Sequence, residues 1–175
     1  LRRAPSRVAD IGTGTGHLAA LFEDTYHHAV VIAVEPVHEM AIQAQEIRLN
    51  VRIGTATDTG LRAGQADVIV SSGVVDFVPE DQIPSMVAEF RRVAAPRALV
   101  AFNFEPVGTQ NPGVGTHQHD ETYLREQLEE QGFEVLEVQR GLFLYDNFVK
   151  KKDERGARPR VENSIIVARL PEYTQ

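Results

Sequence analysis

The sequence predicts an α/β fold built on a mostly parallel sheet. Three observations carry that expectation. Short apolar, β-branched runs alternate with segments of helical periodicity along the 175-residue chain. The first of those runs ends in a glycine cluster that opens directly into a helical segment. No internal repeat or low-complexity tract interrupts the alternation.

Taken in order, residues 7–11 form an apolar run that stops at the glycines, and residues 17–26 carry Leu18, Leu21 and Phe22 at helical spacing. Residues 29–34 read as a strand buried on both faces. Val37, Met40, Ala41, Ala44 and Ile47 mark one face of a second helix. Residues 51–56 and 66–71 are the third and fourth strands. Residues 79–95 form an amphipathic helix whose Pro84 pushes the expected start toward Ile83. Residues 98–104 are a fifth strand, and 105–118 a loop rich in Gly and Pro. Asp120 caps a helix to Gln131, which Gly132 terminates. Residues 133–138 are a sixth strand, with a possible extension over 141–149; a basic loop follows over 150–160, and 163–170 are the last strand.

Composition narrows the function. With 42% apolar and 25% charged residues the chain can build an ordinary globular core, expected as a single domain over 1–175. The absence of cysteine excludes a disulfide scaffold, a zinc finger, an iron–sulfur protein and a thiol nucleophile. Twenty-five acidic residues against 18 basic, a net −7, argue against a general nucleic-acid binder. The longest apolar run is far too short to span a bilayer, and no apolar segment follows Leu1-Arg2-Arg3. No membrane partner is expected, and the expected location is the cytoplasm.

The most informative segment is Asp10-Ile11-Gly12-Thr13-Gly14-Thr15-Gly16, between a strand and a helix. Alternating glycines let the backbone turn tightly and approach a ligand. The spacing is not that of a dinucleotide fingerprint, because His17 stands where its third glycine belongs. Asp10 would also repel a pyrophosphate, and suits a cationic ligand or one rich in hydrogen-bond donors. Glu35 ends the second strand about 20 residues beyond the loop, the place from which an acid accepts both ribose hydroxyls of an adenosine.

On these motifs the chain resembles the class I S-adenosylmethionine-dependent methyltransferases. Residues 10–16, with Asp10, Thr13 and the three glycines, match that family's first motif, and Val34-Glu35-Pro36 matches its acidic second. Gly54-Thr55-Ala56, Asp67-Val68-Ile69-Val70-Ser71-Ser72-Gly73 and the Phe90-Arg91-Arg92-Val93 segment with Ala98-Leu99-Val100 resemble later ones. The resemblance implies a doubly wound, Rossmann-like, seven-stranded sheet with its last strand antiparallel, and S-adenosylmethionine as cofactor. It places Gly12, Gly14 and Gly16 under the methionine part, Glu35 on the ribose, Met40 near the adenine and Ser71 or Ser72 at the amino-acid end. Two departures stand out. Thr55 occupies a position where many members carry an acid for the adenine amino group, which leaves adenine to the Ala56 backbone and apolar contacts. Only Leu1 to Arg7 come first, where members usually carry covering helices, so a lid is expected to be absent or supplied from elsewhere.

Candidates for catalysis lie beyond strands four and five. Asp76 is placed to face the acceptor, and His117 or His119 could deprotonate a hydroxyl near neutral pH. A capping acid and surface histidines are the competing readings. The two histidines lack a convincing third partner, so no metal site is expected. The loop over 150–160 holds six basic and two acidic residues, suited to an anionic group on the substrate or simply to solvent. Tyr145, Asp146 and Phe148 are candidates for a substrate wall. No Asn-Pro-Pro-Tyr-like tetrapeptide follows strand four. The expected function is methyl transfer from S-adenosylmethionine to a small-molecule acceptor, and not to nucleic acid. A regulatory module that binds S-adenosylmethionine without transfer is the alternative. A nicotinamide oxidoreductase is opposed by Asp10 and by the glycine spacing.

Overall fold

The computed structural model describes residues 4–109, 115–145 and 160–172. Seven strands form one sheet: β1 (Arg7–Ile11), β2 (Val30–Glu35), β3 (Val51–Ile53), β4 (Ala66–Ser71), β5 (Ala94–Phe104), β6 (Glu134–Tyr145) and β7 (Arg160–Arg169). Their order is β3-β2-β1-β4-β5-β7-β6. The first five are parallel, and β7 runs antiparallel to both β5 and β6. This is the mostly parallel sheet with an antiparallel last strand that the sequence predicts. Its order reverses between β1 and β4, and the crevice beyond the carboxyl ends of those strands is where such sheets bind ligands.

Helices α1 (His17–Thr25) and α2 (His38–Glu46) cover one face, where Ala19 and Ala44 pack on Val8, Val31 and Val68. Helices α3 (Ile83–Val93) and α4 (Glu121–Glu130) cover the other. There Met86, Val87, Phe90, Leu124 and Leu128 meet Ile69, Val100, Phe102 and Ile166. The alternation of Ala98, Val100, Phe102 and Phe104 toward that second core is why β5 reads so clearly as a strand. Asp120 caps α4 by accepting from the Tyr123 amide at 3.1 Å.

Three expectations are corrected. The third strand stops at Ile53, because Thr55 and Asp58 exchange backbone hydrogen bonds and close a turn over residues expected to be strand. The helix expected over 79–95 does begin at Ile83, where Pro84 in its first turn set the expected start, after short 3-10 turns at Val75–Phe77 and Glu80–Gln82. It ends two residues early, at Val93, and β5, expected from residue 98, starts at Ala94. The segment Pro96-Arg97 is absorbed as an irregularity in the β4–β5 ladder, with Arg97 at φ 65°. Among the described residues no helix is long and apolar enough to cross a membrane.

Candidate active site

The glycine loop follows β1 at the switch point. Gly12 and Thr13 donate their amides to the Val34 carbonyl at 2.7 and 3.0 Å, which folds the loop back across the end of β2. Gly12, Gly14 and Gly16 all lie at positive φ, but they face different surroundings. A Cβ on Gly12 would stand 2.0 Å from Val74 Cγ2, and one on Gly16 would stand 2.3 Å from Leu49 Cδ1. One on Gly14 would meet nothing within 4 Å. Two of the glycines therefore let side chains close under and beside the loop, and the middle one opens onto free space.

Glu35 is 4% exposed. Its Oε2 accepts from the Gly14 amide at 2.8 Å and its Oε1 from the Val37 amide at 2.9 Å. Each oxygen keeps a second lone pair, so the carboxylate can anchor the loop and still accept two hydroxyls. Pro36 is exposed beside it. Asp10 is buried under the loop, where its Oδ2 accepts from Thr13 Oγ1 at 2.7 Å. Burial raises its carboxyl to about 6, against hydrogen bonds from Thr13 and the Ala19 amide and with repulsion from Glu35. Asp10 therefore shapes the loop from below. Ser71 Oγ donates to the Ile11 carbonyl at 2.9 Å, tying β4 to the loop, while Ser72 is exposed at the strand's end. Met40 is half-buried on α2, and Ala56 is buried. The Thr55 hydroxyl serves its own turn by accepting from the Asp58 amide at 3.0 Å.

On the other side of Val74 lies a second group. Asp76 is 4% exposed, and its Oδ1 accepts from the Glu105 amide at 2.6 Å. Burial, with added repulsion from Glu105, pushes its carboxyl up to about 7 although that amide bond pulls it down. The strap over residues 115–119 crosses these ends. The His117 amide donates to the Asp76 carbonyl at 2.6 Å, and the His119 amide to the Glu105 carbonyl at 2.8 Å. The side chain of His117 is exposed, whereas that of His119 is buried, with Nε2 3.0 Å from the Val75 carbonyl. Phe77, 53% exposed, gives this side an apolar rim.

Sequence reasoning missed two residues here. Glu105 is buried directly after β5, and Thr116 Oγ1 donates to its Oε2 at 3.1 Å. Its place at the carboxyl end of a central strand was the available signal. Asn103 accepts from the Gly73 amide at 2.7 Å and donates to Asn163 at 2.5 Å, fixing the turn that presents Val74. A polar residue inside an otherwise apolar strand could have revealed it. The candidate wall residues Asp146 and Phe148 and the basic loop up to residue 159 lie outside the described residues, and Tyr145 ends β6. Among the described residues no group of three or more His, Cys, Asp or Glu is arranged to hold a metal ion.

The residues at the glycine loop fit an adenosyl sulfonium cofactor. Asp10 sets a carboxyl beneath the loop, Glu35 keeps free acceptor capacity and Gly14 opens onto free space, the chemistry that a cation carrying a ribose calls for.

Comparison with known proteins agrees with this geometry. A family profile described as a methyltransferase domain matches residues 8–97. A malonyl-[acyl-carrier protein] O-methyltransferase of Geobacter sulfurreducens is 34% identical over 110 residues, 60% of this chain and 40% of that protein. A trans-aconitate 2-methyltransferase of Mycolicibacterium gilvum is 33% identical over 78 residues, 45% of this chain and 30% of that protein. The chain thus matches less than half the length of either relative. The crystal structure of a SAM-dependent methyltransferase from Methanosarcina mazei superposes with a TM-score of 0.80 at 14% identity, covering 98% of this chain and 95% of that one. With its motifs, its sheet order and the family match all in agreement, the chain belongs to the class I S-adenosylmethionine-dependent methyltransferases, an enzyme family whose cofactor is S-adenosylmethionine.

Proposed function

We propose that this protein transfers the methyl group of S-adenosylmethionine to a small-molecule acceptor, with Asp76 exchanging a proton with the acceptor. The observation that carries the proposal is the adjacency of the two halves of the site. Paired strands β1 and β4 deliver the glycine loop and the Asp76 turn to the same edge, and Val74 links them by packing on Gly12.

When bound, the cofactor supplies an electrophilic methyl group on a positively charged sulfur. The chain's own residues do the rest. Gly14 leaves room for the cofactor, and Glu35 accepts its ribose hydroxyls. Thr13, Gly16 and Ser71 hold the loop in shape; Pro36 and Met40 flank the adenosine side, Ala56 contributes apolar surface and Ser72 lies at the amino-acid end. Much of the acceleration comes from holding acceptor and methyl in line. A hydroxyl or amine also has a proton to lose, and Asp76 takes it, with a pKa of about 7 suited to a base at neutral pH. His117, being exposed, contributes its backbone amide rather than its ring.

A second reading is favoured by the relatives' names, since malonyl and trans-aconitate are carboxylic acids. The basic composition of residues 150–160 also suits an anionic acceptor. A carboxylate attacks without a base, and protonated Asp76 would then donate a hydrogen bond to it.

The test is calorimetric titration with S-adenosylhomocysteine, with NAD as control, followed by transfer of labelled methyl to small carboxylic acids, alcohols and amines. The main reading expects binding of the first ligand only, transfer to an alcohol or amine, and a rate that rises through pH 7. A rate that falls through pH 7 with a carboxylic acid establishes the second reading. Binding without transfer to any acceptor would leave a cofactor-binding module and overturn both.

A further inference from the structure

The strap over residues 115–119 does more than cover the acceptor side. It is joined to the ends of β4 and β5 by a closed set of bonds. The His117 amide holds the Asp76 carbonyl, the His119 amide holds the Glu105 carbonyl, and the Val107 amide holds the His119 carbonyl at 3.2 Å. All of these are backbone bonds that any sequence could make. Two side chains add to them: Thr116 Oγ1 donates to Glu105 Oε2, and the His119 ring, 1% exposed, reaches the Val75 carbonyl beside Asp76.

The chemistry of that contact fixes the ring's state. A carbonyl oxygen can only accept, so Nε2 must carry the hydrogen. In a neutral ring Nδ1 is then a bare lone pair. Nδ1 is the only buried side-chain nitrogen or oxygen without a partner among the described residues. A proton placed there would be a buried N–H with nothing to receive it, which is costly. The surrounding charges do not reverse this. Burial and the neighbouring His117 lower the ring's pKa from 6.5, while the Val75 carbonyl and Glu80 act the other way. Around Asp76 the facing titratable group is Glu105.

We propose that His119 is a positioning residue: a neutral imidazole whose Nε2–H clamps the Val75 carbonyl and so keeps the Val75–Phe77 turn, with Asp76 in it, closed against the end of β5. His119 would thus act on the acceptor through Asp76, and would not itself take the acceptor's proton. The proposal rests on the reading that Asp76 works on the acceptor. Its test does not require turnover, so the two can fail separately.

The experiment is nuclear magnetic resonance on the full chain. Ring ¹⁵N shifts report the tautomer of His119, and side-chain ¹³C shifts report the titration of Asp76. In the wild type the expected result is a ring protonated on Nε2 only at neutral pH, and an Asp76 midpoint near 7. In His119→Ala, which opens the turn to water, the midpoint should fall by more than one pH unit. In His119→Gln, whose amide nitrogen sits about where Nε2 did, it should stay within about half a pH unit of the wild type. A ring protonated on Nδ1, or a folded His119→Ala protein with an unchanged Asp76 midpoint, overturns the proposal. So does a His119→Gln protein that behaves like the alanine variant. Should the alanine variant not fold, the wild-type tautomer and the glutamine variant decide. Loss of turnover in Asp76→Asn tests the other reading: if turnover persists, Asp76 does not take the acceptor's proton, whatever the spectra show for His119.

Discussion

Replacing Asp76 with asparagine should make this protein more stable, and more so as the pH rises. In an unfolded chain the carboxyl ionises near 3.8, and in the fold it does so near 7. An acid whose pKa is raised by folding holds its proton more tightly in the folded state. The cost of ionising it is absent below the unfolded pKa and complete above the folded one. At about 1.4 kcal/mol per pH unit, the full cost above pH 7 is roughly 4 kcal/mol. At pH 5 only the first part, about 1.5–2 kcal/mol, has been incurred. Asparagine keeps an oxygen for the Glu105 amide and carries no charge, so whatever its extra NH₂ costs in packing is the same at every pH. The stability difference between variant and wild type should therefore grow by about 2–3 kcal/mol between pH 5 and pH 8.5. His119, held below its ordinary 6.5, makes both proteins lose stability as the pH falls below that value, and the subtraction removes it. Urea denaturation across that range measures the difference directly. A difference that stays flat with pH would refute the argument, because it would mean that Asp76 meets water freely in the folded state. The same variant should lose about 10²–10⁴ in turnover if the carboxylate takes the acceptor's proton.

The cofactor half makes its own predictions. Glu35→Ala should weaken S-adenosylhomocysteine binding by about 1–3 kcal/mol, read by calorimetry, because two charge-assisted bonds to the ribose and two loop anchors go together. Gly12→Ala should cost about 2 kcal/mol or more of stability through its clash with Val74, and Val74→Ala in the same chain should return part of it. Gly14→Ala should cost only about 1 kcal/mol for its backbone, since its Cβ meets nothing, yet weaken S-adenosylhomocysteine binding more than tenfold. Away from the site, Glu89 is buried and accepts from the Thr59 amide at 2.9 Å, the Thr59 hydroxyl and Arg92. Glu89→Ala should therefore cost about 3 kcal/mol in urea denaturation, by leaving a buried amide without a partner.

The meeting of the glycine loop with Glu35 was legible because it is local. Asp10 and the glycines are seven contiguous residues, and Glu35 lies one βαβ unit further on, so their meeting follows from the parallel pairing that the apolar runs already imply. The strand and helix limits were legible where side chains set them, as in β5's alternation and the Asp120 cap. They were missed where the backbone set them. The Thr55–Asp58 turn cut β3 short, and a bulge carried β5 back to Ala94. Neither leaves a period in the sequence.

The acceptor half was legible by position but not by role, and His119 shows why. A histidine after strand five can be a base, a metal ligand, a surface residue or a clamp, and the residue type suits all four. What separates them is which atom faces which partner. That contact comes from the strap's return across β4 and β5, forty-four residues beyond the carbonyl that His119 holds. Asp76 depends on the same crossing. Its raised carboxyl comes from burial under a segment whose sequence is mostly Gly, Thr and His, residues with no apolar pattern to announce that they cover anything. Chemistry that a fold builds by covering a polar group is therefore hidden from the sequence until the cover is known. Chemistry built by baring a backbone, as at Gly14, is written in the residue itself.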